Sequence, residues 1–194
     1  MSNLIWQKLL EKFAGDPSVR QLIFVKCTSG SNADFIMYTK GNGNWKELLS
    51  CPAFIGKKGL GKEKEGDMKT PEGIYNLPIA FGIKDNPGTK IPYTKVNENL
   101  YWCGDDNYYN QLIDISQRPH KCLGEHLIEC VPHYNYAMFI DYNKQDIFGK
   151  GSAIFLHCMG EKPYTAGCVA ISEENMKAVL THAGEGMKIC IYPA

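Results

Sequence analysis

A histidine and a cysteine stand eleven residues apart in the segment GSAIFLHCMGEKPYTAGCVAI, residues 151–171. His157 follows an apolar run, and Cys168 stands directly before another. Two strand-like segments joined by a short loop can bring the imidazole within hydrogen-bond reach of the thiol. The imidazole can then remove the thiol proton, and the thiolate is the nucleophilic form of cysteine. The pair predicts a cysteine acyl-transfer site in which His157 is the base for the thiol and the acid for a leaving amine.

The residues around this pair suggest supporting roles. Gly167 lets a substrate carbonyl approach the backbone, and main-chain N–H groups near it could hold an oxyanion. Tyr164 and Thr165 carry hydroxyls that could either orient substrate or close the turn. Cys158 is a rival nucleophile, but neighbouring strand residues face opposite sides, which favours a packed thiol at that position.

The Gly-Glu-His-Leu segment 124–127 adds a second histidine. His126 could line the same cleft or support local structure. Glu125 is interpreted as a surface or structural carboxylate, because a Cys-His pair needs no further acid. Histidines and cysteines also crowd nearby, at His120, Cys122, His126, Cys130 and His133. Their spacing is not that of a zinc site, so no metal is predicted.

The elements that position these residues are mostly strand-like. An apolar stripe predicts an N-terminal helix over residues 1–15, and a second helix follows Ser172. Short apolar runs predict strands, at residues 20–27, 34–39, 136–142, 152–156 and 188–192. The long polar and aromatic excursion 85–132 is expected to lie over the site. The chain 1–194 is predicted to be a single, mainly β domain.

Composition limits the possible functions. The chain has 194 residues, with 21 Lys and Arg against 21 Asp and Glu. This balance argues against a general nucleic-acid binder, which needs a basic face. No apolar run is long enough to predict a transmembrane helix, and no signal peptide is evident. The eight cysteines are interpreted mainly as scattered packed thiols, which would suit a reducing cytoplasm.

The motifs together resemble the L,D-transpeptidase catalytic domain of the YkuD type. That family carries a strand-borne histidine followed by S-x-G-C-x-R, matched here by His157, Thr165, Gly167 and Cys168. A T-P-x-G element is matched at residues 70–73. A poorly characterised branch is more similar still, since it shares EGDxKTPxG, AFG, GEHL and GxGSAIFLH. The resemblance runs from about residue 56 to residue 191.

Three positions depart from the family pattern. The usual serine is Thr165, a frequent histidine is Ala166, and the arginine two residues after the nucleophile is Ala170. A methyl group cannot replace a guanidinium that organises a site. Either His126 or a lysine near Lys69 takes over, or the substrate differs.

The resemblance implies an antiparallel β-sandwich or barrel-like domain with a few peripheral helices and no cofactor. It implies that Cys168 attacks a peptidoglycan stem peptide, expels a terminal D-alanine and passes the acyl group from a thioester to an amine or to water. It also implies work in the cell envelope, although the cytoplasm stays open. The alternatives are an L,D-carboxypeptidase or Cys-His peptidase acting on wall peptides, and a non-catalytic wall-binding module. The oligomeric state is not predicted.

Overall fold

A computed structural model describes residues 2–41 and 44–194. Met1, Asn42 and Gly43 lie outside the described residues, as do the side chains of Ser2 and Asn3. The first residue of the predicted N-terminal helix therefore falls outside the description.

The described residues form a mainly β fold with two α-helices. These helices are α1 (Ser2–Ala14) and α2 (Glu173–His182). The strands in chain order are β1 (Gln21–Cys27), β2 (Asn32–Gly41), β3 (Asn44–Phe54), β4 (Gly73–Asn76), β5 (Ala80–Gly82), β6 (Tyr93–Lys95), β7 (Leu100–Cys103), β8 (Gln111–Asp114), β9 (Gly124–His126), β10 (Ala137–Phe139), β11 (Phe155–Cys158), β12 (Val169–Ile171) and β13 (Lys188–Pro193). Two short 3₁₀ helices span Leu127–Glu129 and His133–Asn135. The predicted mainly β class with peripheral helices is confirmed.

One curled sheet holds most of the strands, in the order β4-β13-β1-β2-β3-β12-β11-β10-β5-β6. Most neighbours are antiparallel, but β1–β13, β11–β12 and β5–β6 are parallel. A parallel pair needs a connection longer than a hairpin. The loop 159–168 is the connection between β11 and β12, and it carries the nucleophile candidate at its end.

Each helix covers one face of the large sheet. Trp6, Leu9 and Phe13 of α1 pack against Leu22 and Phe24 of β1. The alternate β1 residues point to the opposite face and join a second core that includes Met176, Val179 and Leu180 of α2. Because both faces of β1 are covered, its sequence QLIFVKC is apolar almost throughout instead of alternating. Ser172 caps α2 by accepting a hydrogen bond from Asn175 N–H.

The excursion 85–132 forms a small sheet, in the order β8-β7-β9, together with the edge strand β6 of the large sheet. Aromatic side chains attach the small sheet to the large one. Trp102 of β7 lies with its ring centroid 4.8 Å from that of Phe155 on β11 and 6.2 Å from that of Phe81. Cys168 belongs to this same apolar cluster. The small sheet therefore lies beside the candidate nucleophile.

Candidate active site

The two catalytic candidates lie on neighbouring parallel strands. β11 and β12 pair with Leu156 opposite Val169 and His157 opposite Ala170. Cys168 stands directly before β12, two residues from Ala170. Since strand side chains alternate, Cys168 and His157 share one face of the sheet. The parallel register, and not proximity in sequence, brings them together.

Cys168 and His157 share no hydrogen bond in this structure, although both are among the described residues. The Cys168 thiol donates to the Ala153 carbonyl oxygen at 3.2 Å, and its sulfur accepts from Phe155 N–H at 3.3 Å. His157 Nδ1 lies 2.8 Å from the Cys158 carbonyl oxygen. A carbonyl can only accept, so Nδ1 carries the hydrogen and Nε2 of the neutral ring is free to take up a proton. The direct thiol–imidazole contact expected from the sequence is not formed.

A shared cavity connects the pair instead. One cavity of about 540 Å³ is lined by His157, Tyr164, Thr165, Ala170 and Cys168. We call it the His157 cavity. Cys168 is 8% exposed and His157 is 7% exposed, so both reach solvent only through such openings.

A second cavity, of about 450 Å³, also borders Cys168. Its wall includes Lys62, Glu65, Trp102 and Gly167, and we call it the Lys62 cavity. Glu125, Ala166 and Cys168 line both cavities. A group bound to the Cys168 sulfur could therefore be reached from either cavity.

Burial keeps both catalytic candidates neutral. It raises the pKa of the Cys168 thiol to about 12, against the smaller lowering effect of the Phe155 N–H bond, with Glu125 raising it further. Burial also lowers the pKa of His157 to about 4, although its bond to the Cys158 carbonyl opposes this. Near neutral pH the pair is a thiol beside a neutral imidazole. A preformed thiolate–imidazolium pair is thus not the resting arrangement, so proton transfer must accompany attack.

The depressed pKa of His157 makes stability depend on pH. In the unfolded chain the imidazole takes up a proton near pH 6.5, whereas in the folded chain it does so only near pH 4. The unfolded state therefore binds more protons between these values, and stability falls as the pH drops from about 6.5 to about 4. We expect His157 to account for a loss of about 3 kcal/mol in the free energy of unfolding over this range. Urea unfolding at a series of pH values measures it.

The His157→Asn variant provides the reference for this titration, because asparagine does not ionise. Carboxylates also titrate at the acid end, so the difference between the two chains isolates the histidine. Parallel pH curves for wild type and variant would show that His157 is not held neutral by the fold.

Two threonines hold the backbone of the nucleophile. The hydroxyl of Thr70 donates to the Cys168 carbonyl oxygen at 3.2 Å and accepts from Gly56 N–H at 2.8 Å. The hydroxyl of Thr165 donates to the same carbonyl at 2.7 Å. Both threonines are buried. The T-P-x-G element therefore contributes to the site by fixing Cys168.

Thr165 also uses one of the main-chain donors near Gly167 that were expected to hold an oxyanion. Its Oγ1 accepts the Gly167 N–H at 3.1 Å, so that donor is already used within the turn. Of the two roles left open for the Thr165 hydroxyl, turn closure is the one that its contacts account for. Gly167 is needed for a different reason, because a Cβ there would lie 2.9 Å from the Lys69 carbonyl oxygen. The glycine lets two loops touch behind the nucleophile.

Lys62 is a buried cation that the sequence analysis did not single out. Its ammonium lies 3.0 Å from Asp67 Oδ1 and 3.2 Å from the Lys64 carbonyl oxygen. Its side chain is 2% exposed, and a Cβ placed on Gly167 would be 3.5 Å from its Nζ. Its positive charge favours the thiolate of Cys168, and this effect opposes the larger rise in the pKa of that thiol caused by burial. The EGDxKTP motif was the available signal, since it supplies the partner of Lys62.

Asp67 explains how Lys62 is held. Burial alone would raise the pKa of Asp67, but backbone N–H groups of Glu63, Lys64 and Lys69 and the Lys62 ammonium together bring it well below its usual range. The carboxylate therefore stays charged and keeps the ammonium in place. A lysine near Lys69 was one of two proposed substitutes for the arginine missing at Ala170, and Lys62 is a lysine of that segment that lines the Lys62 cavity with Cys168.

Glu125 was expected to be a surface or structural carboxylate, but it does not lie on the open surface. It is half-buried in the wall of both cavities. Its Oε2 accepts the hydroxyl of Tyr134, whose ring lies 5.8 Å from that of His157. Burial raises the pKa of Glu125, although the Tyr134 bond opposes this. The alternation of β9 turns Glu125 toward the site and His126 away from it, which the sequence alone could not orient.

His126 is the predicted site residue that the structure does not bring to Cys168. Its ring stacks on Tyr101 with centroids 4.3 Å apart, and its Nε2 lies 2.8 Å from the Glu98 carbonyl oxygen. Its Nδ1 is 3.0 Å from a Glu129 oxygen. It belongs to the wall of neither cavity described above. Because Glu125 occupies the inward-facing position of β9, its neighbour His126 faces the other way. There its contacts with Tyr101, Glu98 and Glu129 support the small sheet.

The remaining cysteines were expected to be packed thiols, and the Cys103–Cys122 pair is the exception among them. Cys158 is buried on the opposite face from His157, and its thiol donates to the Tyr136 carbonyl oxygen at 3.5 Å. Cys103 and Cys122 form a disulfide with Cα atoms 5.6 Å apart. The other six cysteines are free thiols. Spacing alone gave no signal for the disulfide pair.

Comparison of the sequence with known families identifies its class. Residues 27–191 match the YkuD family, described as the L,D-transpeptidase catalytic domain. The chain therefore belongs to the YkuD family of L,D-transpeptidase catalytic domains. The resemblance read from the His157 and Cys168 motifs is confirmed. Comparison with curated proteins gives no significant match.

Several solved structures are similar to this chain at low identity. Bd1075 of Bdellovibrio bacteriovorus is 19% identical, with a TM-score of 0.49, over 90% of this chain and 48% of that one. The helical cell shape determining protein Pgp2 of Campylobacter jejuni (K307A mutant) is 19% identical, with a TM-score of 0.48, over 95% and 53%. An L,D-transpeptidase from Mycobacterium smegmatis is 12% identical, with a TM-score of 0.40, over 88% and 58%. This chain spans about half the length of these proteins.

Within the part of the chain that the structure describes, neither helix has the length and apolar character that crossing a bilayer requires.

Proposed function

We propose that this protein is a cysteine acyltransferase of the L,D-transpeptidase type that acts on peptidoglycan stem peptides. The observation that supports this most directly is the pairing of β11 with β12, which sets Cys168 and His157 on one face and in one cavity. Membership of the YkuD family supports this substrate class. The cell envelope is the compartment in which that substrate occurs.

The reaction begins with the neutral pair. The Cys168 thiol leaves the Ala153 carbonyl, gives its proton to Nε2 of His157, and its sulfur bonds to the carbonyl carbon of the stem amide. The C–N bond then breaks as His157 returns the proton to the departing amine of the terminal D-alanine. An amine from a neighbouring stem, or water, then attacks the thioester carbonyl carbon and gives a proton to Nε2 of His157, and the C–S bond breaks as the Cys168 sulfur takes that proton back. In each half of the reaction, His157 accepts one proton and then returns it, so the pair ends in its neutral state.

Charged groups in the Lys62 cavity suit a zwitterionic stem peptide. Glu65 and Glu125 are carboxylates that can bind the free amine of a diamino acid, and Lys62 is a cation whose charge acts on the Cys168 thiol. Glu65 is ordered by the Tyr109 hydroxyl at 2.5 Å and by Ser152 N–H and Oγ at 2.8 Å. Lys62 favours the negative charge that develops on sulfur and on the oxyanion.

Two cavities that meet at Cys168 favour transfer over hydrolysis. A donor stem held in one cavity leaves the other open for an acceptor amine. A carboxypeptidase needs access for water alone. The same thioester serves both reactions, so the products distinguish them.

Intact-mass measurement after incubation with a carbapenem or with tetrapeptide muropeptides tests the proposal. We expect a covalent adduct that maps to Cys168 and is lost completely in Cys168→Ala. The matched control Cys158→Ala removes the neighbouring buried thiol and should still form the adduct. A wild-type chain that never forms the adduct, or an adduct that persists in Cys168→Ala, contradicts the proposed chemistry.

Product analysis with and without an added amine acceptor then separates the two enzymatic activities. Cross-linked or amine-exchanged stems identify a transpeptidase. Stems that are only shortened identify an L,D-carboxypeptidase instead. Binding to peptidoglycan without any adduct or product identifies a non-catalytic module.

A further inference from the structure

A second cluster of reactive side chains lies on the small sheet, outside both cavities. One possible ligand atom from each of Cys103, Asp105, His120 and Cys122 lies within 4.8 Å of all the others. Cys103 is fully buried and the other three are partly buried. Cysteine sulfur, imidazole nitrogen and carboxylate oxygen are all zinc ligands, and these four atoms are the number that a tetrahedral zinc site needs.

The imidazole of His120 is oriented for a cation. Its Nδ1 lies 2.7 Å from the Arg118 carbonyl oxygen, so Nδ1 carries the hydrogen. In the neutral ring, Nε2 then has a lone pair, which points at Cys103 Sγ at 3.3 Å and at Asp105 Oδ2 at 3.4 Å. Metal-binding histidines are commonly held in this way, with the second ring nitrogen bonded to a carbonyl. A cation between the three atoms would bring their lone pairs into favourable contact.

Asp105 is arranged to offer one oxygen. Its Oδ1 accepts the N–H groups of Asn107 and Tyr108 at 3.1 and 3.2 Å. Its Oδ2 is buried and accepts no hydrogen bond from any residue that the structure describes, and His120 Nε2 faces it at 3.4 Å. A buried carboxylate oxygen without a partner costs free energy, which a bound cation would offset. The spacings of 3.3 and 3.4 Å also match the edge of a tetrahedron with zinc–ligand bonds near 2.0–2.3 Å, which is about 3.3–3.8 Å.

The backbone brings the two cysteines together independently of any bond between their sulfurs. Cys103 ends β7, and Gly104 N–H donates to the Leu123 carbonyl oxygen at 3.0 Å. A Cβ on Gly104 would lie 2.6 Å from that oxygen, and one on Gly124 would lie 2.0 Å from the Trp102 carbonyl oxygen. The glycines permit this close approach, so the cysteines stay adjacent when reduced.

We propose that Cys103, Asp105, His120 and Cys122 form a structural zinc site when the two cysteines are reduced. A dithiol reductant supplies two electrons and two protons to the disulfide, and zinc then displaces the two thiol protons. The ion, with two thiolates, one carboxylate and one neutral imidazole, fills all four positions and leaves none for substrate. It would fasten the end of β7 to the segment before β9, and so hold Gly124 and Glu125 in the cavity wall.

Zinc content measured on the full chain tests this proposal without relying on acyl transfer. The chain is reduced with a phosphine, incubated with Zn²⁺, passed into metal-free buffer and analysed by mass spectrometry of the metal. We expect about one ion per chain, and a higher unfolding temperature with zinc than without it. Co²⁺ in place of Zn²⁺ should give the thiolate-to-metal charge-transfer and intense visible bands of a tetrahedral site.

Variants of the ligands and of nearby residues localise the ion. His120→Ala and Asp105→Asn should each weaken zinc binding at least ~10-fold. Asparagine has nearly the same shape as aspartate, so Asp105→Asn tests the site even if His120→Ala folds poorly. Cys130→Ser and Cys168→Ala should bind as the wild type does. The proposal is overturned if the reduced wild type retains no zinc, if the disulfide form binds equally well, or if Cys168→Ala alone loses the ion.

Discussion

The His157→Asn variant is expected to form the Cys168 acyl-enzyme at least ~100-fold more slowly than the wild-type chain. The asparagine amide can still donate to the Cys158 carbonyl, which accepts from His157 Nδ1 at 2.8 Å. It has no basic nitrogen, so only the proton acceptor is removed. The time course of adduct formation with a carbapenem, followed by intact mass, measures the loss.

The pH dependence of this acylation follows from the two shifted pKa values. Between a histidine that titrates near 4 and a thiol that titrates near 12, the protonation of the free pair does not change. The wild-type rate should therefore be nearly constant from about pH 5.5 to about pH 9. A preformed ion pair would give a bell-shaped curve with its limbs inside this range.

His133 provides the discriminating control for His157. Its ring centroid lies 5.4 Å from that of His157, and it lines the same cavity, but it is exposed. If His133→Asn loses more activity than His157→Asn, the base has been assigned to the wrong histidine. His182→Asn, on the exposed end of α2, should leave the rate unchanged.

Replacing Lys62 with methionine is expected to lower the free energy of unfolding by about 3 kcal/mol. Methionine fills a similar volume but leaves the charged Asp67 carboxylate, which is 10% exposed, without its counterion. Three backbone N–H groups still hold that carboxylate, so the loss should not exceed this value. Urea unfolding measures the change.

The same Lys62→Met substitution should also make Cys168 less reactive. Lys62 lowers the pKa of the buried thiol, so its removal should raise that pKa and slow alkylation by iodoacetamide at a fixed alkaline pH. Lys64→Met is the matched control, because Lys64 belongs to the same turn but has an exposed side chain. Equal stability and equal alkylation rates in Lys62→Met and Lys64→Met would mean that the Lys62 charge does not act on the site.

A double variant separates the ion pair from general packing. In Lys62→Met with Asp67→Asn, neither partner is charged, so part of the lost stability should return. If the two single effects simply add, Lys62 and Asp67 do not stabilise each other through their charges.

The sequence by itself determined the features that depend on local pattern. The apolar runs around His157 and Cys168 indicated strands, and the strand-borne histidine followed by Thr-x-Gly-Cys indicated both the family and the reactive pair. Alternation along a strand was enough to set Cys158 aside from His157. Such features follow from the period of a strand and from the chemistry of single side chains, and neither requires knowing what lies across the fold.

Only the tertiary structure decided which side chains converge from distant segments. The pairing of β11 with β12 set His157 and Cys168 on one face, and the docking of the small sheet brought Glu125 to Cys168 and carried His126 away. The segment before β4, which contacts Cys168 through Thr70, brought Lys62 there. The pairing of β7 with β9 within the small sheet joined Cys103 and Asp105 to His120 and Cys122, a set that spacing along the chain did not suggest. Burial then raised the pKa of Cys168 and lowered that of His157, which the motif alone did not predict. Desolvation and long-range register depend on every element that covers a residue, and no short stretch of sequence contains that information.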